Sequence, residues 1–78
     1  MAIETEALYK LMIMHMLNKV EFPLTNTQIA QFFLENEYTN YFSVQKAISE
    51  LIEDGFVFSN VNRNTSYYHL SSEGRESL

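Results

Sequence analysis

One segment of the chain carries an unusually complete helix-start signal, which constrains the fold more than any other feature. Thr25 and Gln28 have the T-x-x-Q spacing of a capping box, in which each side chain accepts from a backbone N–H at the helix start. Leu24 and Ile29 occupy the two positions of a hydrophobic staple. Ile29, Phe32 and Phe33 follow at helical spacing and give one apolar face. Together with this face, the start signal predicts a helix over residues 26–35.

Another helix is predicted after a short polar connection. Thr39 or Asn40 can cap its start, and Gly55 stands just past its last turn, where glycine commonly ends a helix. Two short helices joined this closely, the second with a narrow apolar stripe, are typical of a helix-turn-helix. Over residues 40–54 the expected buried stripe is Val44, Ile48, Leu51 and Ile52, flanked by Ala47 and Tyr41.

The last third of the chain predicts a β-hairpin followed by the start of a helix. Residues 56–61 and 66–70 are rich in β-branched and aromatic side chains, and they enclose an Asn-rich turn at 62–65. Ser71 is expected to cap a helix inside which the sequence stops. From this we expect a longer parent protein with a further C-terminal region.

The first helix is predicted over residues 4–19 and is apolar on almost every side. Its expected core face consists of Leu8, Leu11, Met12, His15 and Met16. A second apolar arc consists of Tyr9, Ile13, Met14 and Leu17. A three-helix domain rarely buries all of a helix, so we expect this arc to pack on a second subunit of a homodimer or on the C-terminal region. The alternative is that flexible Met side chains cover it locally.

The order of predicted elements is helix, short extended segment at Phe22–Leu24, helix, helix and hairpin. This order predicts an α+β, mainly α fold of the winged helix-turn-helix type: a three-helix bundle, a β-hairpin wing and the start of a fourth helix. A chain of 78 residues is expected to form one domain, residues 1–78.

Composition limits the cellular setting. The chain has no cysteine, which excludes disulfides and thiolate metal sites, and no apolar run of transmembrane length. Acidic residues stand near the start, where a signal peptide needs positive charge. We therefore expect a cytoplasmic protein that makes no membrane contact.

Several short sequence strings between about residues 8 and 78 resemble those of a known protein family. They are FPLTN at 22–26, YTNYF at 38–42, Leu51 with the acidic turn to Gly55, and YYHLSSEG at 67–74. In these strings the chain resembles a family of small bacterial winged-helix proteins of unassigned role that are predicted to be transcriptional regulators. The resemblance implies a winged-helix fold, a role in DNA binding, and a further C-terminal region. It implies no particular DNA site.

The predicted topology designates a candidate DNA surface. A helix-turn-helix inserts its second helix into the major groove, with the N-terminal residues nearest the base edges. On that helix the candidate contacts are Asn40, Tyr41, Ser43, Gln45, Lys46 and Ser49. On the wing, over residues 56–70, they are Arg63, Asn64 and Thr65. The alternative is a solvated helix face and a turn whose Asn residues suit positive backbone angles.

Charge weakens the expectation of DNA binding. The net charge is −5, whereas DNA affinity depends on Lys and Arg that neutralise phosphates. The stretches 38–49 and 56–72 contain no acid, and their only cations are Lys46 and Arg63. We expect double-stranded DNA to bind weakly to the monomer and usefully only to a dimer or to the longer protein. The alternative is a protein-interaction module without DNA binding.

Catalysis, cofactors and metals find no support in the sequence. His15 and His69 have no carboxylate at ligand spacing, and no nucleophile–base pair or Gly-rich phosphate loop is present.

Phe42 is expected to point outward from the third helix. Its ring then either folds back onto the Tyr38 turn, or stays exposed to a thymine methyl group or a protein partner.

Overall fold

The computed structural model describes residues 5–20, 22–36 and 40–78, and these form helices and a small antiparallel sheet. The elements are α1 (Thr5–Lys19), β1 (Leu24–Thr25), α2 (Asn26–Glu35), α3 (Tyr41–Glu53), β2 (Val57–Asn62), β3 (Thr65–Leu70) and α4 (Ser72–Glu76). The α+β, mainly helical class is therefore confirmed.

The three strands pair in the order β1-β3-β2. In the hairpin, Val57 pairs with Leu70 and Asn62 with Thr65, so the strands extend closer to the tip than predicted. Strand β1 pairs Leu24 with Tyr68. It begins after Pro23 rather than at Phe22, because proline has no N–H to give to a ladder.

Three helix starts are capped as the sequence predicted. In the capping box, Gln28 N donates to Thr25 Oγ1 at 3.1 Å and Thr25 N donates to Gln28 Oε1 at 2.9 Å. Ser43 N donates to Asn40 Oδ1 at 2.9 Å, so Asn40 caps α3; Thr39 lies outside the described residues. Ser71 Oγ accepts from Gly74 N at 3.0 Å at the start of α4.

One hydrophobic core joins the helices to the sheet. Its buried members from α2, α3 and the sheet are Ile29, Ala30, Phe33, Val44, Ala47, Ile48, Leu51, Leu24, Val57 and Leu70. For two side chains expected in this core, the predicted burial is wrong. Ile52 and Phe32 are each more than a third exposed, because each stands one position beyond the buried stripe of its helix.

The two faces of α1 are reversed relative to the prediction. Ile13, Met14 and Leu17 are at most 6% exposed, and the Tyr9 ring packs edge-on against Phe33 with centroids 5.5 Å apart. This arc, expected to bind a second subunit or a C-terminal region, is therefore part of the chain's own core. The opposite face carries Leu8 and Leu11, which are 44% and 40% exposed, with exposed His15 and half-buried Met12 and Met16.

Both glycines shape the corner where α3 meets the sheet and α4. Gly55 has a φ of 81°, a left-handed angle that favours glycine and ends α3. Its carbonyl accepts from Ser71 Oγ at 2.6 Å. At Gly74 a Cβ atom would collide with the carbonyl oxygen of Phe56, so α4 approaches this corner more closely than an alanine would permit. No helix among the described residues is long and apolar enough to cross a membrane.

Candidate functional site

The first turn of α3 is where sequence analysis placed most of the candidate contacts. Asn40 is exposed, but its Oδ1 already accepts the Ser43 N–H that it caps. Only the amide nitrogen of its side chain remains available to an external acceptor. Asn40 therefore serves first to fix the start of the helix.

A polar bridge that the sequence did not reveal joins α2 to α3. Asn26 Nδ2 donates to the Tyr41 hydroxyl at 3.0 Å, and Gln45 Nε2 donates to Asn26 Oδ1 at 2.6 Å. Two of the candidate contacts, Tyr41 and Gln45, thus hold the two helices at a fixed angle. Bonds that span 15 and 19 residues leave no local pattern in a sequence, so Asn26 could be recognised only from the structure.

Two ion pairs connect α1 to α3. Lys46 Nζ lies 3.0 Å from Glu6 Oε1, and Lys10 Nζ lies 3.3 Å from Glu50 Oε1. The hydrogen bond to Glu6, followed by the charges of Glu6 and Glu50, raises the pKa of Lys46 above its usual value. The Lys46 side chain is exposed as predicted, but its charge is partly neutralised by α1.

A groove of about 260 Å³ separates α1 from α3 beside these pairs. It is lined by Thr5, Glu6, Tyr9, Ser43, Lys46, Ala47 and Glu50. Glu50 Oε2 is buried without a hydrogen-bond partner among the described residues. Two of the candidate contacts, half-buried Ser43 and exposed Lys46, line this groove.

The outward side of α3 is dominated by one aromatic ring. Phe42 is 84% exposed, in agreement with the expected outward direction, and Ser49 is exposed two turns further on. Tyr38, onto which the ring was alternatively expected to fold, lies outside the described residues. The first turn of α3 therefore presents a nearly free phenyl group to solvent.

The hairpin tip is tighter than the four-residue turn predicted at 62–65. Arg63 and Asn64 have φ values of 52° and 64°, the double left-handed pattern of a type I′ turn, while Thr65 pairs in the ladder. Both tip residues are exposed, and Arg63 makes no ion pair with any described residue. The tip therefore carries an uncompensated positive charge.

The outer face of the hairpin holds a second aromatic cluster. The rings of Phe58 and His69 stack with centroids 4.7 Å apart and an interplanar angle of 5°. Asn60 Nδ2 lies 3.2 Å from His69 Nε2. His69 thus contributes to the packing of the hairpin surface, and a period-2 strand pattern could have suggested that these three side chains share one face.

Acidic residues are unevenly distributed over the described surface. Residues 40–49 and 55–72 contain no Asp or Glu, whereas Glu50, Glu53 and Asp54 follow directly at the end of α3. The N-terminal half of α3 and the whole hairpin are therefore free of acid. In the parts of the chain that the structure describes, no three His, Asp or Glu residues come together as a metal-binding group.

Comparison with known proteins gives a family without an assigned activity. No curated protein and no solved structure matches the chain significantly. A family described as a domain of unknown function, DUF4364, matches residues 9–78. Because the match extends from the second turn of α1 to the end of α4, the chain belongs to the DUF4364 family.

Proposed function

We propose that the chain is a winged helix-turn-helix domain that binds double-stranded DNA and serves as the DNA-binding domain of a bacterial transcription regulator. In this proposal α3 enters the major groove. The β2–β3 hairpin is the wing, and its tip lies on the phosphate backbone or in the minor groove. The role is one of binding, without catalysis and without a cofactor.

The order of elements supports the fold part of the proposal. Helices α1, α2 and α3, the short strand β1 before α2, and the closing hairpin occur in the sequence order of a winged helix. The sheet order β1-β3-β2 leaves β2 at an edge and lets the hairpin tip protrude. α2 and α3 are joined by a short connection and are tied together through Asn26, as a rigid helix pair requires.

The observation that carries the DNA proposal is that the first half of α3 and the hairpin contribute no carboxylate of their own. Glu6 of α1, which lies beside this surface, is paired with Lys46. Phosphates repel carboxylates, so each carboxylate on a surface that approaches DNA lowers its affinity. In a chain with net charge −5, the two regions that a winged helix would present to DNA contain none among the described residues. Arg63 adds a cation at the tip, where the negative potential of a minor groove would attract it.

The same charges predict weak binding by one copy of the chain. Lys46 already has a carboxylate partner, and Arg63 is the other cation of the proposed surface. Each phosphate contact adds salt-sensitive affinity, so two contacts give little at physiological salt. Useful affinity would come from a homodimer that reads two half-sites, or from a larger protein.

A second candidate function is a protein-interaction module. The observation that favours it is the apolar outer face of α1, where Leu8 and Leu11 are more than a third exposed, with exposed Phe32 of α2 on the same side. A groove of about 330 Å³ lies on this side, lined by Met12, His15, Met16, Lys19 and Phe32. Exposed apolar patches commonly mark binding surfaces.

The experiment that tests the DNA proposal is an NMR titration of ¹⁵N-labelled protein with random-sequence duplex DNA at low and at moderate salt. We expect shift changes over residues 40–49 and 62–65 that decrease as salt rises. No change at low salt would contradict the proposal. Changes confined to α1 and Phe32 would favour the protein-interaction module instead.

A matched pair of variants makes the titration specific. Arg63→Asn removes the charge at the tip and keeps a residue that accepts a left-handed angle, so it should greatly weaken the response. Arg75→Asn removes a charge of the same sign from exposed α4 and should leave the response unchanged. Equal losses in both variants would mean that overall charge, rather than the hairpin tip, governs the interaction.

A further inference from the structure

The packing of the described residues does not explain the exposure of Phe42. Burial of a phenyl ring is among the largest favourable contributions that one side chain makes to a core, yet this ring is 84% exposed. It stands in the first turn of α3, two residues after the capping residue Asn40. A ring in this position is available to whatever approaches the start of α3.

The polar side chains around Phe42 are largely committed inside the protein. Gln45 donates to Asn26, Lys46 is paired with Glu6, and the Asn40 oxygen caps the helix. Direct recognition by hydrogen bonds from this turn is therefore limited. The exposed Phe42 ring, by contrast, has no hydrogen bond to give up when it binds an external group.

We propose that Phe42 contacts the C5-methyl group of thymine in the major groove, and that the preferred DNA sites of this chain carry thymine where the ring reaches. This inference rests on the proposed DNA binding. The thymine methyl is the apolar group that base pairs display in the major groove, beside hydrogen-bond donors and acceptors. A phenyl ring has neither donor nor acceptor, so the methyl group is the base-edge feature it can bind favourably.

The test replaces thymine by uracil, which lacks the methyl group and keeps every hydrogen-bonding group of the base. Duplexes that bind the protein are first enriched from a random pool, and each thymine of an enriched duplex is then exchanged in turn. The wild-type chain should lose about fourfold in affinity at the contacted position, the factor expected for one methyl-sized group returned to water. Phe42→Ala should bind the thymine duplex more weakly and show no further loss with uracil.

Two other variants serve as controls. Phe42→Leu keeps an apolar side chain and should retain part of the preference for thymine. Phe22→Ala removes another exposed ring, one that lines a pocket with Pro23 and Arg75, and should keep the full preference. The dependence of affinity on salt should be the same for Phe42→Ala and wild type, because no charge is lost.

The possible failures are distinguishable. If no duplex is enriched even at low salt, where weak phosphate contacts still hold, the proposed DNA binding fails and this inference fails with it. If a duplex is enriched but uracil has no effect at any position, or has the same effect in wild type and in Phe42→Ala, DNA binding stands and the contact with thymine is excluded. The exposed ring would then belong to a contact with a protein partner.

Discussion

At the scale of single residues, the Lys46 ammonium is shared between an internal and a proposed external partner. It lies 3.0 Å from Glu6 Oε1, and both side chains are more than half exposed. Exposed ion pairs of this kind contribute little to stability, because solvent screens them. The pair is therefore weak enough for Lys46 to exchange the carboxylate for a phosphate, and in the proposed complex Glu6 would compete with DNA for the Lys46 charge.

The change Glu6→Gln should release Lys46 and strengthen DNA binding at low salt. Loss of the hydrogen bond and of the Glu6 charge should also lower the pKa of Lys46 toward 10.5. Both effects are measurable, the first by fluorescence anisotropy with a labelled duplex and the second by NMR titration of the lysine side chain. Glu73→Gln makes the same change in net charge on α4, away from Lys46. If both variants increased the affinity equally, competition by Glu6 would be excluded.

At the scale of the elements, α1 is the helix whose orientation the sequence did not determine. Helices α2 and α3 each have a clear polar side, and their buried stripes were largely predicted from the 3.6-residue period. α1 is apolar around most of its circumference, so the period leaves its core face undecided. The buried face of α1 is set by packing against Phe33 and the apolar stripe of α3. These residues lie far along the chain, so the local sequence of α1 does not show which face is buried.

A pair of alanine substitutions in α1 tests that orientation. Ile13→Ala removes a side chain that is 1% exposed and should lower the free energy of unfolding by about 3 kcal/mol, as in other cores. Leu11→Ala removes a side chain with the same number of carbons that is 40% exposed, and it should cost less than about 1 kcal/mol. Urea unfolding followed by circular dichroism measures both. If Leu11→Ala lowered the free energy of unfolding more than Ile13→Ala, the buried face of α1 would be the one expected from the sequence.

The starts of the helices were predicted better than the core face of α1. Caps such as Thr25, Asn40 and Ser71 bond to residues three positions away, so the sequence contains both partners within one turn. The candidate site depends on partners much farther along the chain. Lys46 and Glu6 are 40 residues apart, so no local sequence pattern predicts that they pair. The positions of the candidate residues were foreseeable, whereas their internal bonds were not.

At the scale of the whole molecule, the phenol of Tyr68 links the stability of the fold to alkaline pH. This half-buried residue of β3 packs against the core, and burial, followed by the charge of Tyr41, raises its pKa above 10.0. Its neutral form is therefore favoured in the folded chain, and the unfolded chain ionises first. The stability from this group is complete below about pH 10 and is lost as pH rises further. The raised pKa of Lys46 acts in the same direction.

We therefore expect the midpoint of urea unfolding to be constant between about pH 8 and pH 9.5 and to fall above about pH 10. Tyr68→Phe should make the fall less steep, because the variant has no phenol to ionise at that position. Tyr67→Phe, on the opposite face of β3, is the matched control and should leave the fall in place. A wild-type midpoint that stayed constant to pH 11 would contradict the role given to Tyr68.

The left-handed backbone at the hairpin tip determines which amino acids position 63 accepts without strain. A φ of 52° is unfavourable by about 1 kcal/mol for a residue with a Cβ atom, and glycine would adopt it without strain. Arg63→Gly should therefore make the hairpin more resistant to heat while it removes the tip's guanidinium. Under the proposed DNA binding, selection for thermal stability would favour glycine at position 63, whereas selection for affinity for DNA would favour arginine.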